Sequence, residues 1–406
     1  MKITLLALGS TGDVLPCAAL GGALVQAGHR VRLASFEHFR PIAQKHGLSL
    51  SPVAGDVQAM LRAGGTHMSR VLFQFMNRAN AYVRDFSAPD LLDADLILNQ
   101  LPGGLFGWDL AEKLSIPMIA LAYLPLVPTG AYPMIGFPRI FSGSPGYNRL
   151  TYRISAQMVW LIFRRAVNGW RRQTLGLPPQ RSGGRFHELG SPSCPWIVGF
   201  SPALIPPQPD WPARVHVTGY WYPRDEQWQP SLDLLRFLND GPPPVFIGFG
   251  SMVAPNPENL LTKILRAVRE AGQRAVLHSG WTGMGGENLP EGVFSIDYAP
   301  YDWLFPRMAG LVIHGGAGSV HFALRSGRPT QIVPFMFDQF TWARRFAELG
   351  IGPAPLPFRK LTSIRLADSI HALVTNASMA EKAAAVASVV RQEPGISEAV
   401  RIIESI

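Results

Sequence analysis

The chain has 406 residues, of which 47% are hydrophobic and 16% charged, enough core material for two domains of comparable size. Its 40 Gly and 36 Pro are scattered between apolar runs rather than gathered into low-complexity tracts, which excludes a disordered protein. The formal net charge of +9 suits an anionic ligand or surface, yet no zinc-finger, helix-turn-helix or RNP-like signature is present, so no nucleic-acid partner is expected.

The N-terminal apolar run Ile3 to Leu8 is too short for a secretion signal and passes straight into Gly9-Ser10-Thr11-Gly12-Asp13; it reads as a buried first strand. A helix then ends at Ala27-Gly28, and a basic residue leads into a second strand ending at Ser35. The same arrangement returns late in the chain. Ala23 to Ser35 is echoed by Ala267 to Ser279, and each echo is preceded by a strand finishing in Gly-Ser, at Ser10 and Ser251. Gly28 and Gly272 suit the left-handed position just past a helix C-terminus. Strand, Gly-Ser loop, helix, Ala-Gly stop and strand make a βαβ unit, present twice.

Between the echoes, Leu96 to Asn99 and Met118 to Leu121 read as short buried parallel strands; Leu311 to His314 and Thr330 to Val333 follow the second. The dipeptide Asn256-Pro257 is a cap and a first-turn proline, opening a helix to about Ala271. These elements give an α/β class with two doubly wound parallel-sheet domains, and ligands are expected beyond the carboxyl ends of the strands. The expected boundaries are residues 1–210, a Pro- and Trp-rich linker at 211–243, a second domain at 244–390 and a terminal helix at 391–406.

The second half carries His314-Gly315-Gly316-Ala317-Gly318-Ser319 between a strand and a helix. Small residues let backbone N–H groups approach a ligand, and the helix N-terminus favours phosphate. His314 can donate to the same group. No Gly-Lys-Ser/Thr follows, so this is not a Walker loop, and Gly9-Ser-Thr-Gly12 lacks the G-x-G-x-x-G spacing of a dinucleotide oxidoreductase.

His314 to Ser319, with Arg325-Ser-Gly-Arg-Pro-Thr-Gln-Ile-Val-Pro-Phe-Met-Phe-Asp338-Gln339, resembles the donor signature of family 1 glycosyltransferases of GT-B fold, in the bacterial antibiotic and sterol branch. Gly9 to Pro16, Gly248-Phe-Gly250-Ser251, Ser279-Gly-Trp281 and Ala299-Pro-Tyr301-Asp-Trp-Leu-Phe305 resemble its other motifs, in the right order over both halves. The resemblance implies two Rossmann-like domains across a cleft. Gly316, Ala317, Gly318, Ser319 and His314 would hold the diphosphate; Ser10, Thr11, Gly12, Gly250 and Ser251 would close on the phosphates. Trp281, with Ser279, Ala299 and Tyr301, would hold the base. Asp338 and Gln339 would read the sugar hydroxyls, although Asp338 also suits a helix N-cap. Two positions depart from relatives: Tyr301 stands where His or Gln is usual, and Phe322 where the plant branch has a ribose-binding Glu. UDP and dTDP sugars are therefore not distinguished, with UDP-glucose foremost as co-substrate and no cofactor.

Inverting transfer needs a base for the acceptor hydroxyl. Asp13 is the candidate, matching the catalytic Asp of the resembling branch; it would equally serve as an N-cap. Asp93-Ala94-Asp95 superficially offers a metal-binding Asp-x-Asp, but it lies just before a strand, and no metal is expected.

The acceptor would meet the Pro-, Met- and aromatic-rich stretch Ala122 to Tyr147, with Met68, Phe73, Phe75 and Met76, which suits a sterol, terpenoid, polyketide or phenolic. The segment Met158 to Arg172 mixes Trp160, Leu161, Phe163 and Trp170 with four arginines and could lie on an anionic membrane or bury its apolar face. Cys17 and Cys194, the only cysteines, offer no disulfide framework and suggest a reducing, cytoplasmic setting. The competing functions are a sugar-nucleotide epimerase or hydrolase on the same fold, and a silent nucleotide-sugar-binding protein.

Overall fold

The computed structural model describes residues 1–56, 59–60, 77–101, 106–180, 194–223, 225, 227–280 and 289–406. Of the described residues, those up to Pro223 and from Pro394 onward form one compact unit, and those between them form the other.

The first unit holds strands β1 (Lys2–Leu6), β2 (Arg30–Phe36), β3 (Ser49–Val53), β4 (Leu96–Leu101), β5 (Met118–Ala122), β6 (Trp196–Val198) and β7 (Val215–Val217), all parallel in the order β3-β2-β1-β4-β5-β6-β7. β4 and β5 are buried along their whole length, as expected where helices cover both faces of a parallel sheet. The first strand registers Lys2 with Arg30 and Leu6 with both Ala34 and Asn99. The order therefore reverses at β1, which is where an open α/β sheet makes a crevice. The helix Thr11–Gln26 follows β1 and stops at Gly28, whose φ is +90°.

The second unit holds β8 (Val245–Gly248), β9 (Ala275–His278), β10 (Val293–Ile296), β11 (Gly310–Ile313) and β12 (Thr330–Ile332), parallel in the order β10-β9-β8-β11-β12. The echo seen in sequence is structural. β8 pairs with β9 as β1 pairs with β2, and Gly272 has φ +62°. The helix Pro257–Glu270 is capped by Asn256, whose side chain accepts from the Asn259 N–H at 2.9 Å. Val245, Ile247, Phe249, Ile264, Val268, Ile370 and Leu373 share the core of this unit.

Two boundaries differ from the expected ones. Residues 215–217, assigned to the linker by their Pro- and Trp-rich surroundings, form an edge strand of the first sheet, and the division between units falls after Pro223. Three residues are too few to show a period of two. The chain returns to the first unit at Pro394, where the Gly395 N–H donates to the Thr218 carbonyl at 2.8 Å. The helix Ile396–Glu404 then packs on Thr11–Gln26 with Ala399, Ile402 and Ile403 buried. Among the described residues no helix is long and apolar enough to cross a membrane.

Candidate active site

In the first unit the chain turns from β1 through Gly9 into the helix capped by Ser10. The Ser10 backbone is extended, and Asp13 is the third helical residue rather than the cap. Its Oδ2 accepts from the Ser10 N–H at 2.8 Å and from the Ser10 hydroxyl at 3.0 Å. Asp13 thus takes the acidic half of a capping box and remains half-buried. Desolvation pushes its carboxyl above the usual range against the lowering effect of both Ser10 bonds. Thr11 is half-buried and Gly12 exposed beside it. Behind this turn, buried Cys17 Sγ and Tyr123 Oη are 2.6 Å apart, and burial pushes the thiol up to about 12.

In the second unit β8 and β11 are neighbours, registered Gly248 to Ile313, so the loops leaving their carboxyl ends meet. His314 is 8% exposed and sits between two glycines. A Cβ on Gly250 would lie 2.8 Å from its Cε1, and one on Gly316 would lie 2.4 Å from its Nε2. Gly250 also has φ +54°, which a side chain would strain. The imidazole is locked in a slot that only glycine leaves open. Desolvation and the nearby His278 lower its pKa to about 4, so it is neutral at physiological pH. Its buried Nδ1 has no hydrogen-bond partner among the described residues.

The helix Ala317–Ser326 begins beside this ring, with Gly316 at the cap position and no side chain capping its first turn. No side chain therefore takes up its leading N–H groups, and such an end favours an anion. The Ser319 hydroxyl, which was expected on the diphosphate, donates to the Gly316 carbonyl at 2.9 Å. Ser251 lies half-buried in the loop after β8. The Ser279 hydroxyl donates to Asp297 Oδ1 at 2.9 Å. Trp281 lies outside the described residues, as do Met68, Phe73, Phe75 and Met76.

Tyr301 opens a short helix next to buried Ala299 and joins an aromatic wall: its ring stacks on Phe305 at 4.2 Å and meets Phe322 edge-on at 5.9 Å. Both departures from the family pattern therefore pack on each other.

Asp338 occupies the cap position of the helix Gln339–Glu348 but makes no cap bond. Its Oδ2 accepts from Trp342 Nε1 at 2.9 Å. The sequence reading missed this partner, although the spacing of four along a helix is a usable signal. Gln339 is 4% exposed. Its Oε1 accepts from the N–H groups of Phe335 at 2.7 Å and Met336 at 3.1 Å, and its Nε2 lies 3.3 Å from Met252 Sδ. The amide staples the loop that carries Asp338, in which Phe337 takes a left-handed φ of +52°.

The Asp93-Ala94-Asp95 loop is tied to Lys2, whose Nζ is 2.6 Å from Asp93 and whose N–H donates to Asp95 at 2.7 Å. Of the proposed acceptor stretch, Tyr123, Leu124, Val127 and Ile135 are buried, while Ile140 and Phe141 are exposed. In the segment Met158 to Arg172, Arg171 is not a surface cation. It is buried and bonded to Asp109 at 2.6 Å and Glu112 at 2.9 Å.

Residues 3–88 match the glycosyltransferase family 28 N-terminal domain, and residues 263–406 match the erythromycin biosynthesis protein CIII-like C-terminal domain. A sterol 3-beta-glucosyltransferase of Arabidopsis thaliana is 32% identical over 98% of this chain and 67% of its own length. One of Pichia angusta is 34% identical over 99% of this chain, which spans only 33% of that relative's length. Among solved structures, the glycotransferase of kitacinnamycin matches with TM-score 0.74 and 21% identity, covering 100% of this chain and 98% of the other. The glycosyltransferase VinC in complex with DTDP matches with TM-score 0.67 and 21% identity over the whole of both chains. The chain belongs to the GT-B-fold glycosyltransferase family that includes the sterol 3-beta-glucosyltransferases.

Proposed function

We propose that this chain transfers a hexose from a nucleoside diphosphate sugar to a hydroxyl of an apolar acceptor, with inversion and without a metal. The observation that carries the reading is the uncapped helix N-terminus at Gly316 with a neutral imidazole locked beside it. Such a site offers N–H donors to a diphosphate at the moment it leaves the anomeric carbon. UDP-glucose is the foremost donor, with dTDP sugars as the alternative. Asp338 would accept from the sugar hydroxyls while Trp342 Nε1 holds its carboxylate in place. Gln339 would reach the sugar only by giving up part of its hold on the loop.

Asp13 takes the acceptor proton in this scheme. Its raised pKa strengthens it as a base, while the Ser10 bonds keep the carboxylate form accessible. The names of the relatives favour a sterol as acceptor, and terpenoids, polyketides and phenolics share its apolar hydroxylated chemistry. Cys17 and Cys194 are buried thiols not joined in a disulfide, which suits a cytoplasmic setting, and a lipidic acceptor suits peripheral contact with a membrane. The test is a donor-by-acceptor screen by mass spectrometry in EDTA, pairing UDP- and dTDP-sugars with sterol, flavonoid and macrolide acceptors. A hexose increment supports transfer, whereas UDP release or an epimerised sugar without an increment replaces it with a hydrolase or epimerase.

A further inference from the structure

The helix Pro145–Trp170 has two apolar faces. One, with Trp160, Phe163, Val167 and Trp170, is buried. The other carries Leu150, Ile154, Met158 and Leu161, which are 50%, 40%, 55% and 50% exposed. At 100° per residue these four fall within about 80° of arc and form a stripe roughly 16 Å long. Ile140 and Phe141, 80% and 59% exposed, stand in the turn just before the helix. Stripes of this kind on a folded surface mark a contact.

Charge identifies the partner. From Lys113 to His187 the sequence contains no acidic residue and ten Lys or Arg, so this stretch alone carries more positive charge than the net +9 of the chain. Arg139, Arg153, Arg164 and Arg165 are exposed near the stripe and form no ion pair among the described residues. Arg149 and Arg171, by contrast, are engaged by Asp210 and by Asp109 with Glu112. An apolar stripe edged by unpaired cations, with no anion on the helix, fits an anionic bilayer surface, where the side chains enter the acyl boundary and the guanidiniums meet lipid phosphates. A second copy of this chain would set these arginines against one another.

We infer that the face formed by Leu150, Ile154, Met158 and Leu161 with Arg153, Arg164 and Arg165 docks this protein on anionic membranes. The inference deepens the proposed transfer to a lipidic acceptor but is read out separately from it. Flotation with vesicles containing phosphatidylserine is expected to carry the full chain, with loss of binding at high salt and none on pure phosphatidylcholine. The variant Ile154→Gln/Met158→Gln/Leu161→Gln should lose binding at least tenfold. Arg164→Gln/Arg165→Gln, a change confined to exposed side chains, should lose about fivefold per arginine. Both variants should keep full transfer to an acceptor dispersed in detergent. Vesicle binding unchanged in both variants, or absent in the parent chain, overturns the assignment. So does a dimer of the parent on size-exclusion chromatography that the glutamine variants dissolve, since the face would then join two copies. Loss of transfer in the parent with vesicle binding intact would sink the catalytic reading alone.

Discussion

Gly9 makes the space in which the Asp13 carboxylate sits: a Cβ at position 9 would lie 2.4 Å from Asp13 Oδ2, and the residue has φ +148°. Gly9→Ala should therefore displace the carboxylate without touching any ligand. Misplacing a reacting group by about 1 Å costs roughly 100-fold in rate. Transfer assayed on a folded variant should fall by about that factor, and a variant with parental activity would show that the carboxylate position is immaterial.

Asp13→Asn should lower transfer by roughly 100- to 10,000-fold and leave donor affinity, measured by calorimetry, unchanged. Because desolvation raises the Asp13 pKa, the acid limb of kcat/KM should lie above the ordinary carboxylate range, with activity lost as pH falls through it. A profile flat down to pH 4 would remove Asp13 as the base.

Gly250→Ala should weaken UDP binding about tenfold or more, the value of one hydrogen bond to a charged group, by driving a methyl into the His314 slot. His314→Ala should lose a similar amount, and the double variant little more, because both changes remove one interaction. Additive losses would uncouple the glycine from the ring.

His314 and His321 are both buried, with pKa values lowered to about 4 from 6.5 by desolvation. The unfolded chain takes up protons near pH 6.5 and the folded chain does not, so each contribution is complete above pH 6.5. It is lost between there and about pH 4, amounting to roughly 3 kcal/mol per histidine. Denaturant midpoints measured across that window should fall with pH, and fall less in His321→Gln.

Gln339→Ala should destabilise the second unit by about 2 kcal/mol, because two backbone N–H groups of the Phe335–Met336 loop lose their acceptor. Trp342→Phe removes the donor to Asp338 Oδ2 together with part of a fully buried ring, and should raise the KM for the sugar donor several-fold as well as lower the melting temperature. A change in melting temperature with the KM untouched would make Trp342 purely a packing residue.

The paired βαβ units were legible because their punctuation is local: Gly28 and Gly272 are left-handed for the reason their helix-ending positions gave. The Gly316 turn was legible from its small residues between a strand and a helix, where Gly316 is extended rather than left-handed. Gln339 was harder. Its amide is directed by the loop conformation at Phe337, and no sequence rule places a phenylalanine at positive φ. Asp338 was read at the right helix position, but its carboxylate goes to Trp342, a choice between two nearby donors that tertiary packing makes. The strand Val215–Val217 hid in composition typical of a connector.

The return of residues 394–406 to the first unit has a practical corollary for building hybrids. A piece of this protein ending at Pro223 would lack the helix Ile396–Glu404 and lay bare the surface of Thr11–Gln26 against which Ala399, Ile402 and Ile403 pack. Exchanging the second unit with that of a relative therefore calls for an insert with two seams, near residues 223 and 394, rather than a replaced tail. The second seam should fall before Gly395, so that the helix Ile396–Glu404 stays with Thr11–Gln26.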